Sequence, residues 1–247
     1  AAARLVPQAE PFDPATFVLR SVAVAAVVAA LLLRYLYDQH QQRERELAAS
    51  RARFEALQAR IRPHFLFNSM NTIAQLTRAD PALAEEVVQD LSDLFRATLA
   101  DAERMTSLAT ELDLTRSYLR IEGQRLGARL RVVWDLEDLP DDARVPMLVL
   151  QPLVENAVYH GIEPAPEGGL LTIAGRYRRG KVNLSVRNTL PPPGSESHRV
   201  GNRMAVENVR SRLAVRYGDA ASLNVGRVDG EYQVRISLPH PFAEGES

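Results

Sequence analysis

LQPLVENAVYHGIEP, residues 150–164, is a stretch with two characters. Leu150, Leu153, Val154, Ala157 and Val158 recur at the three- and four-residue spacing of a helix that buries one stripe. Gln151, Glu155 and Tyr159 share a second face at i, i+4 and i+8, and Asn156 and His160 share the next. A helix that is half apolar and half polar lies on an apolar surface and turns its polar half to a site. The pattern predicts such a helix over residues 147–160.

The sequence on either side supplies the surface. RLRVVWDLE (129–137) alternates as a strand, and LTIAGRYRRGKVNLSVRN (171–188) alternates as a hairpin turning at Arg179-Gly180. SLNVGRVDGEYQVRISL (222–238) is a second hairpin, turning at Asp229-Gly230. A further helix is expected from about Met204 to Tyr217. The tract LPPPGSESHRVGN (190–202) is too long and too rich in Pro, Gly and Ser for regular structure, and reads as a mobile loop. These elements make one mixed sheet with helices on one face, an α+β sandwich.

Upstream the period is helical. In QARIRPHFLFNSMN (58–71) a proline stands inside a helical pattern, directly before His64. Leu47, Phe54, Leu57 and Ile61 fall on heptad positions with Ser50 between them, a short parallel coiled-coil signal. Continuing that register places His64 in the seam, so a bend at Pro63 is expected to turn His64 outward and Phe65 or Leu66 inward. The triplet Phe65 to Phe67 is expected to anchor a hairpin core. A second helix runs over 81–100, with Leu83, Val87, Leu91, Leu94 and Thr98 in one stripe and an Asp80-Pro81 start. The short link implies an antiparallel hairpin, and two hairpins from two chains imply a four-helix bundle. A third helix over 108–125 opens with an N-cap Ser107 and a nearby Glu111.

Residues 17–37, FVLRSVAVAAVVAALLLRYLY, are about as long as the ~20 residues needed to span a bilayer. Arg34, Tyr35 and Tyr37 form an interfacial belt, and six arginines between Arg43 and Arg62 place the following segment on the cytoplasmic side. A buried Ala/Val-rich helix and a signal peptide are the alternatives. The initial Ala1 reads as the start of a truncated or processed chain, with further spans expected upstream. The chain of 247 residues is 46% hydrophobic and 25% charged, which is globular rather than disordered. A net charge of −1 gives no basic excess for direct nucleic-acid binding, and the lack of cysteine excludes disulfides, thiolate metal sites and a Cys nucleophile. His40, His198 and His240 have no partners at metal-ligand spacing.

Taken together, QARIRPHFLFN (58–68) and LQPLVENAVYHG (150–161) resemble the phosphoacceptor motif and the ATP-binding N-box of the LytS/YehU class of sensor histidine kinases. GNRMAVENVRSRL (201–213) stands where that family has its glycine-rich box and the helix after it, so the likeness spans residues 58–238. Within the class, a glycine-poor nucleotide lid gives the nearest likeness to the sensors of alginate and pilus regulation. The resemblance implies a GHKL-type ATP-binding sandwich behind a dimeric phosphoacceptor hairpin. It divides the chain into an upstream segment (1–16), a transmembrane helix (17–37), a coiled-coil signalling helix (38–62), the phosphoacceptor hairpin (63–106), the catalytic domain (107–242) and a tail (243–247).

The resemblance also assigns roles. His64 is the phosphoacceptor, and Asn68, one turn on, orients a water for dephosphorylating the partner protein. Asn156 holds Mg²⁺ through its amide oxygen with Glu155 beside it; His160 is either part of the ATP site or a C-terminal ring ahead of a C-cap Gly161. The implied partners are a second copy of the chain, a response regulator of LytTR type and the membrane. The implied place is the bacterial inner (cytoplasmic) membrane, with the catalytic part in the cytoplasm.

Three positions depart from the family pattern. Asn188 stands where an adenine-reading aspartate is expected, and the lid is reduced to Gly201-Asn202-Arg203-Met204-Ala205, in which Arg203 offers a charge contact in place of missing glycines. Phe65 rather than an acid follows His64, as is usual in this class. The first reading is therefore ATP-dependent autophosphorylation on His64 with phosphotransfer to the regulator. The alternative is a degenerate kinase that binds ATP weakly and acts as a phosphatase or scaffold. A stand-alone GHKL ATPase leaves the histidine motif without a role.

Overall fold

The structure, a computed structural model, describes the backbone of residues 14–60, 63–99, 104–191 and 199–241 and the side chains of 17–44, 63–99, 104–191 and 204–241. The chain divides into two compact units, Ala1–Ala59 and Arg60–Ser247.

The described residues of the first unit lie in one helix, α1 (Pro14–Arg60). The most apolar 18-residue window of its Phe17–Glu44 stretch has a mean hydropathy of 2.1 and is not buried, so the stretch is long and apolar enough to cross a bilayer. Arg34 and Asp38 pair at its polar end (3.9 Å). The side chains at the heptad positions Leu47, Phe54 and Leu57, together with Ile61, the Pro-rich tract 192–198 with His198, and the segments 1–13 and 242–247, lie outside the described residues.

In the second unit α2 (Pro63–Ala79) and α3 (Pro81–Leu99) are joined by Asp80 alone. Asp80 Oδ1 accepts from the Leu83 amide (3.1 Å), so α3 starts with the expected cap and N1 proline. Val87, Leu91 and Leu94 are buried, together with Ala84 and Ala97. α2 begins at Pro63, while residues 61–62, where a bend would sit, are outside the described residues. The apolar triplet does not act as a unit. Phe65 packs on Tyr118 with ring centroids 5.3 Å apart, whereas Phe67 is 69% exposed. Successive helical residues point about 100° apart, so three in a row cannot all face one core.

α4 (Leu108–Leu126) is capped by Ser107, whose hydroxyl accepts from the Thr110 amide (3.1 Å). It lies between the hairpin and the sheet domain: Ser117 donates to Asp90 of α3 (2.7 Å), and Arg120 pairs with the same carboxylate (2.6 Å). Two short strands, β1 (Met105–Ser107) and β3 (Arg144–Pro146), pair antiparallel beside it. Three-residue strands carry no readable period, which is why the sequence did not reveal them.

The main sheet has the order β2-β4-β5-β7-β6, from β2 (Leu130–Glu137), β4 (Gly169–Arg178), β5 (Lys181–Thr189), β6 (Ser222–Val228) and β7 (Glu231–Pro239). β2 and β4 are parallel, and the crossover between them carries the two-character stretch. Both hairpins turn where expected, with consecutive positive φ at Arg179 (53°) and Gly180 (72°) and at Asp229 (54°) and Gly230 (79°). That is the type I′ signature, whose twist matches paired strands. Leu171, Ile173, Leu184, Ile236 and Leu238 point to the buried face, packed by α4, α5 (Gln151–Ala157) and α6 (Arg199–Tyr217).

Two helix boundaries differ from the sequence expectation. α5 starts at Gln151 rather than at residue 147, because Leu148 has φ 58° and the amides of Leu148 and Leu150 are both taken by Glu111 (2.8 Å each). α6 starts at Arg199, so the backbone of Gly201 and Arg203 lies in its first two turns rather than in a loop, and the Arg203 side chain is outside the described residues. A single glycine costs a helix only about 1 kcal/mol, which the following turns of α6 outweigh.

Candidate functional site

His64 is exposed near the start of α2. Asn68 stands one turn further, with its amide nitrogen 3.2 Å from each nitrogen of the ring. Ser69 and Thr72 return their hydroxyls to the carbonyls of Phe65 and Asn68, four residues earlier in each case. The neighbouring face of α4 carries a partly buried ion cluster. Arg125 donates to Glu122 and, at 2.8 Å, to Glu163 beyond the end of α5. Burial raises the Glu122 carboxyl above its ordinary value, the Arg125 charge and hydrogen bond oppose that, the Glu163 charge adds a smaller upward push, and His64 a smaller downward one. His64 therefore lies within electrostatic reach of α4.

The second group of residues rides on α5 and the π-helical turn Val158–Ile162 that continues it. Asn156 is buried, and Glu155, partly exposed, accepts from Gln151 Nε2 (2.9 Å), as the i, i+4 spacing implied. His160 is buried and meets Tyr159 edge-on with centroids 4.9 Å apart. The Glu163 amide donates to the Val158 carbonyl (2.8 Å), a five-residue bond that carries the helix past Gly161. Gly161 is thus inside the helical segment and is not its C-cap.

What Gly161 provides is space. A Cβ there would stand 2.0 Å from Asn188 Nδ2. Asn188 closes the inward-facing row of β5 at 3% exposure, and its amide nitrogen donates to the Thr189 carbonyl (2.8 Å). The fold thus brings position 188 against the end of the 150–161 stretch, two segments the sequence could join only by resemblance. His64 and Asn68 form a separate pair on α2, and Gly201 and Arg203 are placed only by their backbone. Among the described residues no group of three or more His, Asp or Glu stands ready to hold a metal ion.

The sequence reading passed over Glu111 and Glu122 as functional candidates. Both sit on the buried stripe of α4, at 0% and 3% exposure. The available signal was their spacing: acids at i and i+11 fall in phase with Leu108, Thr115 and Leu119, where a solvated charge does not belong.

Residues 52–130 match the family model described as histidine kinase. The chain is 32% identical over 201 residues to sensor histidine kinase YpdA of Escherichia coli (strain K12), covering 78% of this chain and 35% of that protein. It is also 32% identical over 199 residues to sensor protein LytS of Staphylococcus haemolyticus (strain JCSC1435), covering 76% of this chain and 34% of that one. The chain belongs with the LytS-type sensor histidine kinases. It spans about a third of the length of these curated relatives. Among solved structures, the catalytic domain of histidine kinase ThkA aligns with 55% of this LytS-type chain and 94% of its own, at 17% identity and a TM-score of 0.41.

Proposed function

We propose that this LytS-type chain forms the kinase portion of a dimeric, membrane-anchored sensor that phosphorylates His64 from ATP and passes the phosphoryl group to a response regulator of LytTR type. The observation that carries the reading is the exposed His64–Asn68 pair in a chain whose 150–161 stretch, which carries Asn156, meets Asn188 at Gly161. ATP bound there supplies the γ-phosphoryl group, with Mg²⁺ neutralising phosphate charge. Asn156, with Glu155 beside it, holds the metal by its amide oxygen. Mg²⁺ commonly takes one or two protein oxygens and completes its shell with phosphate and water.

Asn188 has its amide nitrogen committed to Thr189, which leaves its oxygen as the atom that accepts from the adenine amine. A ring nitrogen of His64 forms the new P–N bond as the bond to the ADP oxygen breaks. Asn68 aligns the His64 ring and, in the phosphatase reaction, orients a water that hydrolyses the phosphorylated partner protein. The exposed Phe67 and Met70 of α2 and Val88 of α3 supply the face on which a second hairpin packs. In this reading residues 63–106 are the dimerising phosphoacceptor region and 107–242 the nucleotide domain, on the cytoplasmic side of a bacterial inner membrane.

The test is incubation of the full chain in detergent with γ-labelled ATP and Mg²⁺. Acid-labile label that is present in the wild type and lost in His64→Gln is the expected result; absence of label in the wild type would overturn it.

A second reading, weak ATP binding with a mainly phosphatase or scaffold role, draws on the neutral Asn188 at a buried position where a charge would strengthen the bond. It requires wild-type affinity for Mg-ATP poorer than millimolar, with a clear gain in Asn188→Asp.

A further inference from the structure

Helix α5 lacks a cap of its own. Leu150, at its N-cap, provides no side-chain acceptor, yet the first N–H groups of a helix have no partners within it. The acceptor comes from another helix, 39 residues earlier in the chain. Glu111 Oε2 accepts from the Leu148 amide at 2.8 Å, and Oε1 accepts from Leu150 at 2.8 Å and from Gln151 at 3.4 Å. The carboxylate is completely buried. Leu148 takes a left-handed φ of 58°, a conformation costly to a branched residue, on the approach that brings these amides to one carboxyl group.

The other end of the segment is held by the same helix, through Arg125 and Glu163. Between the two anchors nothing but helix separates Glu111 from the polar face: Glu155 and Asn156 follow Gln151 by four and five residues. A cap used only for stability needs one oxygen and one amide. Here both oxygens are engaged, one by Leu148 on the approach and the other by Leu150 and Gln151 at the start of α5, which fixes the rotation of α5 about its axis as well as its start.

We infer that Glu111 is a positioning residue for the nucleotide site: from α4 it sets the rotation of α5 and so aims Asn156 at the metal that accompanies the nucleotide. The inference rests on the reading of Asn156 as the metal-holding residue. Removing a group that orients a metal ligand typically weakens metal binding by about 10- to 100-fold.

The test compares the wild type with Glu111→Gln and Glu111→Asp in the full chain in detergent. Amide exchange over residues 147–157 is measured together with the Mg²⁺ concentration needed for half-maximal binding of a fluorescent ATP analogue. Glu111→Gln keeps the volume but sets an NH₂ group against the amides of α5. It is expected to speed exchange at Leu148, Leu150 and Gln151 and to raise the Mg²⁺ requirement about tenfold or more, with exchange in the β4–β5 hairpin unchanged. Glu111→Asp, which withdraws the carboxylate by one methylene, is expected to show a smaller shift of the same kind, and it decides the matter if the Gln variant does not fold.

Faster exchange with an unaltered Mg²⁺ requirement overturns the inference, since it leaves a cap without a positioning role. Unaltered exchange overturns it as well. A wild type that binds no nucleotide defeats the reading of Asn156 instead, and the exchange measurement alone then decides whether Glu111 sets α5.

Discussion

A methyl group added at Gly161 meets Asn188 Nδ2 at 2.0 Å and the Thr189 carbonyl at 3.1 Å, with β5 behind both. Overpacking of this kind costs about 1–3 kcal/mol. Gly161→Ala is expected to lower the urea midpoint accordingly and to weaken nucleotide binding by moving Asn188; stability unchanged from wild type would show that the two segments do not meet. Glu122 makes a separate prediction in pH. Burial raises its carboxyl above 4.5, so the stability it contributes is full below that value and is lost as pH rises through its raised native pKa. Glu122→Gln is neutral throughout. The unfolding free energy of the wild type should therefore fall relative to the variant as pH climbs from about 4.5 toward 7, and a constant difference over that range would contradict the assignment. Residues of this kind were half legible. The polar positions 155, 156 and 160 could be named from their types and spacing and 188 through the family resemblance, but the reason for Gly161 could not, because it lies in a strand 27 residues away.

The elements divide by how local their causes are. Both hairpin turns and the start of α3 follow from two or three adjacent residues, and the structure places them as the sequence implied. Asp80→Ala should cost about 1 kcal/mol by removing the cap of α3, readable as a shift of the urea midpoint with no change in slope. The start of α5 and the passage of its helix beyond Gly161 depend on Glu111 and on a π turn, and neither is encoded near residue 150. A local pattern cannot report a boundary drawn by a distant carboxylate. The same limit applies to β1 and β3, which are strands only because each has the other.

For the molecule as a whole, the apolar surface of α1 calls for a non-aqueous environment: Leu19 and Leu33 are 69% and 67% exposed within the Phe17–Glu44 stretch. The full chain is expected to stay with the membrane pellet after alkaline extraction, whereas a chain beginning after Glu44 should be released; recovery of the full chain in the supernatant would remove the membrane-spanning reading. The sequence by itself determined the order of the longer elements, the α+β class, the long apolar helix and the two motifs, since each rests on periodicity or residue type within a short window. Only the tertiary structure decided that α4 holds both ends of the segment carrying Asn156, that Gly161 makes room for Asn188, and that Phe65 rather than Phe67 faces the core. These depend on which surfaces meet after folding, and burial and close approach are properties of pairs of segments that neither segment's own sequence contains.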